Sequence, residues 1–77
     1  MMVNIGFNNQ VNPKRVIGII KNEGAPARRY RDRIKDTLKG LDTSSGRSTR
    51  SLVIMDSDHV FFSPIEAETL GKRFKEV

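Results

Sequence analysis

The 77-residue chain has no cysteine and no tryptophan, and only one histidine and one tyrosine. Without a thiol, disulfide frameworks, thiolate zinc sites and cysteine nucleophiles are excluded, and nothing calls for an oxidising compartment. No apolar run approaches the roughly 20 residues of a membrane span. The opening MMVNIGFNNQ lacks a basic segment followed by a long apolar stretch, so the expectation is a cytoplasmic protein with no export signal or membrane segment. Negative charge is also scarce, with nine Asp/Glu against fourteen Lys/Arg and a net charge of +5.

The surplus of positive charge is unevenly placed. Residues 1–55 carry eleven Lys/Arg against four Asp/Glu, and residues 56–77 carry three against five. A basic body with a slightly acidic end points to a polyanion, nucleic acid before anionic lipid, although many small soluble domains are simply basic. A chain this short forms one domain, 1–77. It buries only roughly 60% of the surface its unfolded form exposes, so association between subunits is a natural supplement to its core.

Local patterns predict a succession of strands and helices. VNIGF reads as a short strand ending in a turn at Asn8 and Asn9, and Asn12 with Pro13 marks a second turn. VIGII, residues 16–20, reads as a buried strand with Lys14 and Arg15 at its entrance. In PARRYRDRIKDTLKG, Pro26 suits the first helical turn and Gly40 the position just past the end. Ala27, Tyr30, Ile34 and Leu38 form its apolar stripe, while Arg28, Arg29, Arg31, Arg33, Lys35 and Lys39 crowd the remainder. LDTSSGRSTRS reads as a short strand leading into a loop.

SLVIM and HVFFS, joined through Asp56, Ser57 and Asp58, read as an antiparallel hairpin. SPIEAETLGKRFKEV opens with Ser63, Pro64 and Glu66 in the pattern of N-cap, first position and capping box. Its closing Lys72, Arg73 and Lys75 match the helix dipole, which gives them a structural reason to be there. The sum is a small α+β domain with a mostly antiparallel sheet and two helices, packed through Ile34, Leu38, Leu70 and Phe74. VIGII and LVIM are apolar on both strand faces, more than a small helix pair covers, so part of that surface is a candidate subunit interface.

Catalytic groupings are poor. Asp56, Asp58 and His59 would bring two carboxylates and an imidazole together, but Asp and Ser are what the turn needs for backbone reasons. The serines have no evident base and orienting acid, and Gly46 lacks the strand, helix and lysine of a phosphate loop. We therefore expect no enzyme, no metal and no cofactor. GRSTRS favours binding instead: two guanidiniums on a hydrogen-bond-rich segment can each meet phosphate oxygens bidentately. Extended, the three-position step from Arg47 to Arg50 covers about 10 Å, enough to reach different phosphates. The alternative is a pair of solvated loop arginines.

VNIGFNN, KRVIGI, EGAPARR, GRSTR, IMDSDHV and ETLGKR, in that order and spacing, resemble the RemA family, bacterial extracellular-matrix regulators that bind DNA and activate biofilm matrix genes. The resemblance covers essentially the whole chain. It implies a subunit similar to LytTR-type DNA-binding domains, assembled into a ring-shaped homo-oligomer whose basic rim contacts double-stranded DNA at the nucleoid. By motif, Arg15, Arg47 and Arg50 take the principal DNA contacts, with Lys14, Arg28 and Arg29 as further candidates. Pro26 stands where the family sets the helix entry and interface. Two positions depart from the family: Ser48 replaces the middle arginine of a GRRTR loop, and Asn8 replaces a glycine. The competing reading is an RNA-binding or ribosome-associated accessory protein; a third is an interaction scaffold in which Arg47 and Arg50 meet acidic residues of a neighbouring subunit.

Overall fold

Every residue of SLVIM is buried, which for an alternating strand requires cover on both faces. The computed structural model, which describes residues 1–77, supplies that cover. The strand, β5 (Ser51–Met55), lies inside a four-stranded sheet of order β3-β5-β6-β4, with β3 at Val16–Lys21, β6 at Val60–Ser63 and β4 at Gly40–Asp42. β5 is antiparallel to both neighbours, whereas β4 runs parallel to β6 and makes the sheet mixed. Leu52 and Ile54 pack with Ala27 and Ile34 of α1 (Gly24–Ile34). Val53 and Met55 turn the other way, to Leu70 of α2 (Ala67–Lys75) and to Ile5 and Val11 of a separate hairpin, β1 (Val3–Gly6) with β2 (Asn9–Val11).

The expected β5–β6 hairpin is present, and its turn explains the acidic residues there. Asp58 N–H donates to the Met55 carbonyl at 3.1 Å, and Asp58 itself takes a left-handed φ of 71°, which Asp tolerates better than most residues. The first hairpin turns through Phe7 (φ 49°) and Asn8 (φ 64°), positive at both central positions as in a type I′ turn. Asn8 is thus a workable substitute for the family glycine. Phe7 is not a natural occupant of that region, and holding it there costs on the order of 1 kcal/mol.

VIGII departs from the expectation of a buried strand. β3 is a sheet edge, its register slips between Val16 and Gly18, and the extra residue, Ile17, is 66% exposed. Helix α1 also ends sooner than predicted. Thr37 donates both its N–H and its hydroxyl to the Ile34 carbonyl, closing the last turn, and Leu38 beyond it is 93% exposed instead of packing in the core. Gly40 is a strand residue and not a helix terminator: a Cβ there would meet Ile34 Cδ1 at 3.0 Å and Phe62 Cε2 at 3.3 Å.

The start of α2 is likewise corrected. Ser63 belongs to β6, and its buried hydroxyl donates to the Ile5 carbonyl at 2.5 Å while accepting from Ile65 N–H. Pro64 precedes the helix, and Glu66 is the N-cap residue, with no side-chain cap bond. A carbonyl brought in by the first hairpin claims the serine that local sequence assigns to a cap.

Candidate nucleic-acid interface

The segment between β4 and β5 carries Arg47 and Arg50, and its path is fixed by small polar residues. Thr43 donates its N–H and hydroxyl to the Phe62 carbonyl. Asp42 accepts from the Ser44 hydroxyl at 2.6 Å and the Ser44 N–H at 2.8 Å through one carboxylate oxygen. These two bonds, the hydroxyl first, hold the Asp42 carboxyl below its usual pKa range against slight desolvation. Arg47 N–H then donates to the Ser44 carbonyl across Ser45 (φ 50°) and Gly46 (φ 83°), a second turn with positive φ at both centres. A Cβ on Gly46 would touch nothing within 4 Å, so glycine is there for its backbone freedom.

Asn22, absent from the sequence candidates, clamps the other end. Its side-chain amide donates to the Thr49 carbonyl at 3.0 Å, its backbone N–H donates to the Arg50 carbonyl at 3.1 Å, and its Oδ1 accepts from Arg31 at 2.6 Å. Arg50 N–H donates to the Ser63 carbonyl at 2.8 Å. Arg50 thereby continues the β5 ladder, while Gly46, Arg47 and Ser48 are exposed ahead of it. The next residue along, Ser51, is fully buried and donates its hydroxyl to the Ile65 carbonyl.

The two arginines differ in what they touch. Arg50 Nη1 donates to Glu66 Oε1 at 2.9 Å, an exposed pair that screens readily and is worth roughly 0–1 kcal/mol. The Arg47 side chain has no hydrogen-bond or ion-pair partner. The two share a shallow depression of about 400 Å³ with Gly46, Ser48 and Pro64, and no carboxylate lines it.

The remaining basic candidates lie elsewhere. Lys14 and Arg15 sit together on a 3₁₀ turn, Pro13–Arg15, started by Asn12 accepting from Lys14 N–H. Arg15 Nε donates to Asp56 Oδ2 at 2.7 Å at the Met55 end of the sheet, whereas Arg50 precedes its Ser51 end. At about 3.4 Å per residue, Arg50 and Arg15 are separated by roughly 20 Å. Arg28 and Arg29 are exposed on α1, beyond Ala27, which faces the sheet. Arg15 and Arg50 therefore mark two separate basic places on one subunit, with Arg28 and Arg29 on the helix whose Arg31 reaches the loop through Asn22.

Asp56 is thus a partner of Arg15, and His59 Nδ1 is hydrogen-bonded to the Ser57 hydroxyl at 2.7 Å. Phe61, Phe62 and Phe74 pack on the core, and Tyr30 lies beneath the Arg33 guanidinium at 5.2 Å. Phe7 differs from them: it is 52% exposed at the tip of its hairpin. Arg73, explained from sequence by the helix dipole alone, also donates to the Asn4 carbonyl at 2.9 Å. No helix is long and apolar enough to cross a membrane.

A family model described as "Extracellular matrix regulatory protein A-like" matches residues 2–74. The chain belongs to the RemA-like family. Among its relatives, one from Pseudothermotoga lettingae is 44% identical over 75 residues, covering 97% of this chain and 82% of its own length. One from Oleidesulfovibrio alaskensis is 44% identical over 73 residues, covering 95% and 87%. One from Thermodesulfovibrio yellowstonii is 39% identical over 77 residues, covering 100% and 91%. All three bear the name "Putative regulatory protein". This RemA-like chain thus stands among proteins named as regulators, with the GRSTR loop on its surface.

Proposed function

We propose that this RemA-like protein is a DNA-binding transcriptional regulator that contacts the phosphate backbone of duplex DNA through Arg47 and Arg50, repeated around a homo-oligomeric ring. The observation that carries the reading is the state of those two side chains: an unpaired guanidinium and one held by a single exposed carboxylate, on a loop whose backbone is tied at both ends. A fixed loop loses little entropy on binding, and a guanidinium with free donors meets phosphate oxygens bidentately. Arg15, with Lys14 beside it, provides a second contact, and Arg28 and Arg29 add long-range attraction from α1.

A few phosphate contacts per subunit give weak, salt-sensitive binding. Repetition around a ring raises the effective concentration of each next contact on the same DNA, so avidity replaces a recognition helix. Preference among sequences then comes from clustered weak sites and from deformability that suits bending. The ring, the LytTR-like relationship, the nucleoid location and the activation of matrix genes come from the RemA resemblance. The exposed Ile17 on edge strand β3 supports the assembly by leaving apolar surface and an unpaired strand edge for a neighbour.

The competing RNA reading needs several aromatic rings presented together as a stacking platform, and four of the five aromatic side chains are packed against the core. The test is fluorescence-anisotropy binding to a promoter-length duplex, with single-stranded RNA as competitor and oligomer mass measured for each protein. We expect Arg47→Ala and Arg50→Ala each to lose about tenfold or more in affinity while keeping wild-type mass. Unchanged affinity, or stronger competition from RNA, overturns the reading, and a collapse in mass assigns the arginines to subunit contacts.

A further inference from the structure

The first hairpin reaches the same end of the molecule as the arginine loop. Gly6 has a φ of +128°, and a Cβ there would stand 2.8 Å from Pro64 Cδ, so glycine lets the strand lie directly against the proline. Beside this contact is an open trough of about 430 Å³ walled by Asn4, Phe7, Arg47, Pro64 and Arg73. It shares Arg47 and Pro64 with the depression that holds Arg50, so the two adjoin along a surface that carries Arg50, Arg47, Arg73 and Phe7. No carboxylate lines either part. Arg73 has one nitrogen on the Asn4 carbonyl, which orients the guanidinium and leaves its other donors free.

Phe7 needs an explanation that the fold does not provide. The residue is half exposed, and its backbone lies in a region where Asn or Gly would be comfortable. A strained, exposed aromatic at a hairpin tip, flanked by guanidiniums, has the chemistry of an apolar wedge entering a nucleic-acid groove between rows of phosphates.

We propose that the surface from Arg50 to Phe7, formed by these adjoining depressions, is the DNA track of the subunit, in which Arg73 is a further phosphate contact and Phe7 inserts against base edges in the minor groove. This deepens the DNA-binding reading and rests on it. It selects the hairpin and α2 side of the molecule for close contact and leaves α1 outside it. Arg47 stands at the centre, and Pro64 forms the apolar floor between the loop and the hairpin.

Phe7→Asn and Arg73→Gln test the track. Asn suits the positive φ at position 7, so the variant melts at the same temperature as wild type or a few degrees higher, about what relief of mild backbone strain gives in a domain of this size. We expect its affinity for a long duplex to fall about tenfold with an unchanged salt slope, because an apolar contact releases no counterion. Arg73→Gln keeps an N–H for the Asn4 carbonyl and should reduce the log-log salt slope by about one per Arg73 in contact with the DNA. Both variants should keep wild-type mass.

Wild-type affinity and slope in both variants would overturn the track. A loss of mass in Phe7→Asn would do so too, by making the hairpin a subunit contact. If wild type and Arg47→Ala already bind duplex equally, the underlying DNA reading has failed. If Arg47→Ala is weak and both new variants bind normally, only the track has failed.

Discussion

Glu66 and Asp56 have corresponding positions at the two principal basic places. Each is an exposed carboxylate against one guanidinium, at 2.9 Å for Arg50 and 2.7 Å for Arg15. An exposed pair is worth roughly 0–1 kcal/mol, so a phosphate displaces the carboxylate at little cost, yet the carboxylate still competes. Glu66→Gln should therefore raise duplex affinity, by up to about fivefold at low salt, since about 1 kcal/mol is the most the pair supplies. A fall in affinity by anisotropy would mean that Glu66 positions Arg50 for binding. Asp56→Asn should likewise raise affinity by freeing Arg15, and an unchanged affinity would contradict a DNA contact at Arg15.

The element that matters most is the β4–β5 connection. Its acid sensitivity follows from Asp42, whose folded pKa is depressed below the ordinary 3.8 by the Ser44 hydroxyl and N–H. The anchor's contribution is then fully present above the unfolded pKa and is lost as pH falls through the lower folded one. A carboxyl NMR titration should place the Asp42 midpoint below 3.8, with the Ser44 amide shift following it. A midpoint at or above that value would contradict the loop geometry.

At this scale sequence was informative where structure is local. The β5–β6 hairpin was legible because alternation and turn residues lie within one short stretch. GRSTR was legible as a loop because Ser, Thr and Gly give it no apolar side to bury. Where distant chain segments meet, the local signals misled. Gly40 looked like a helix terminator but is small because Ile34 and Phe62 crowd it. Ser63, Pro64 and Glu66 matched a capping box, yet Ile5, remote in sequence, takes the serine. Asn22, Arg73 and Phe7 gave no signal, since their relation to the arginine loop exists only after the strands pair and the hairpin docks.

For the whole molecule, the proposed DNA binding depends on how many such weak contacts act together. The subunit extends only 32 × 24 × 21 Å, and Arg15 and Arg50 stand at opposite ends of β5. Joining copies through the edge of β3 would multiply those places along one DNA. Ile17→Asp puts a charge on that edge without touching any arginine, so by light scattering its mass should fall toward the monomer. Its affinity for long duplex should fall about 100-fold or more with the loss of avidity. Wild-type mass would place the subunit interface elsewhere.

The most direct test of DNA binding by repeated phosphate contacts is the salt dependence of wild-type affinity for a long duplex. Each neutralised phosphate contributes about 0.9 to the log-log slope, so Arg47 and Arg50 from just two neighbouring copies predict a slope steeper than about −3.5. A slope near zero, or no measurable affinity at low salt, would contradict it.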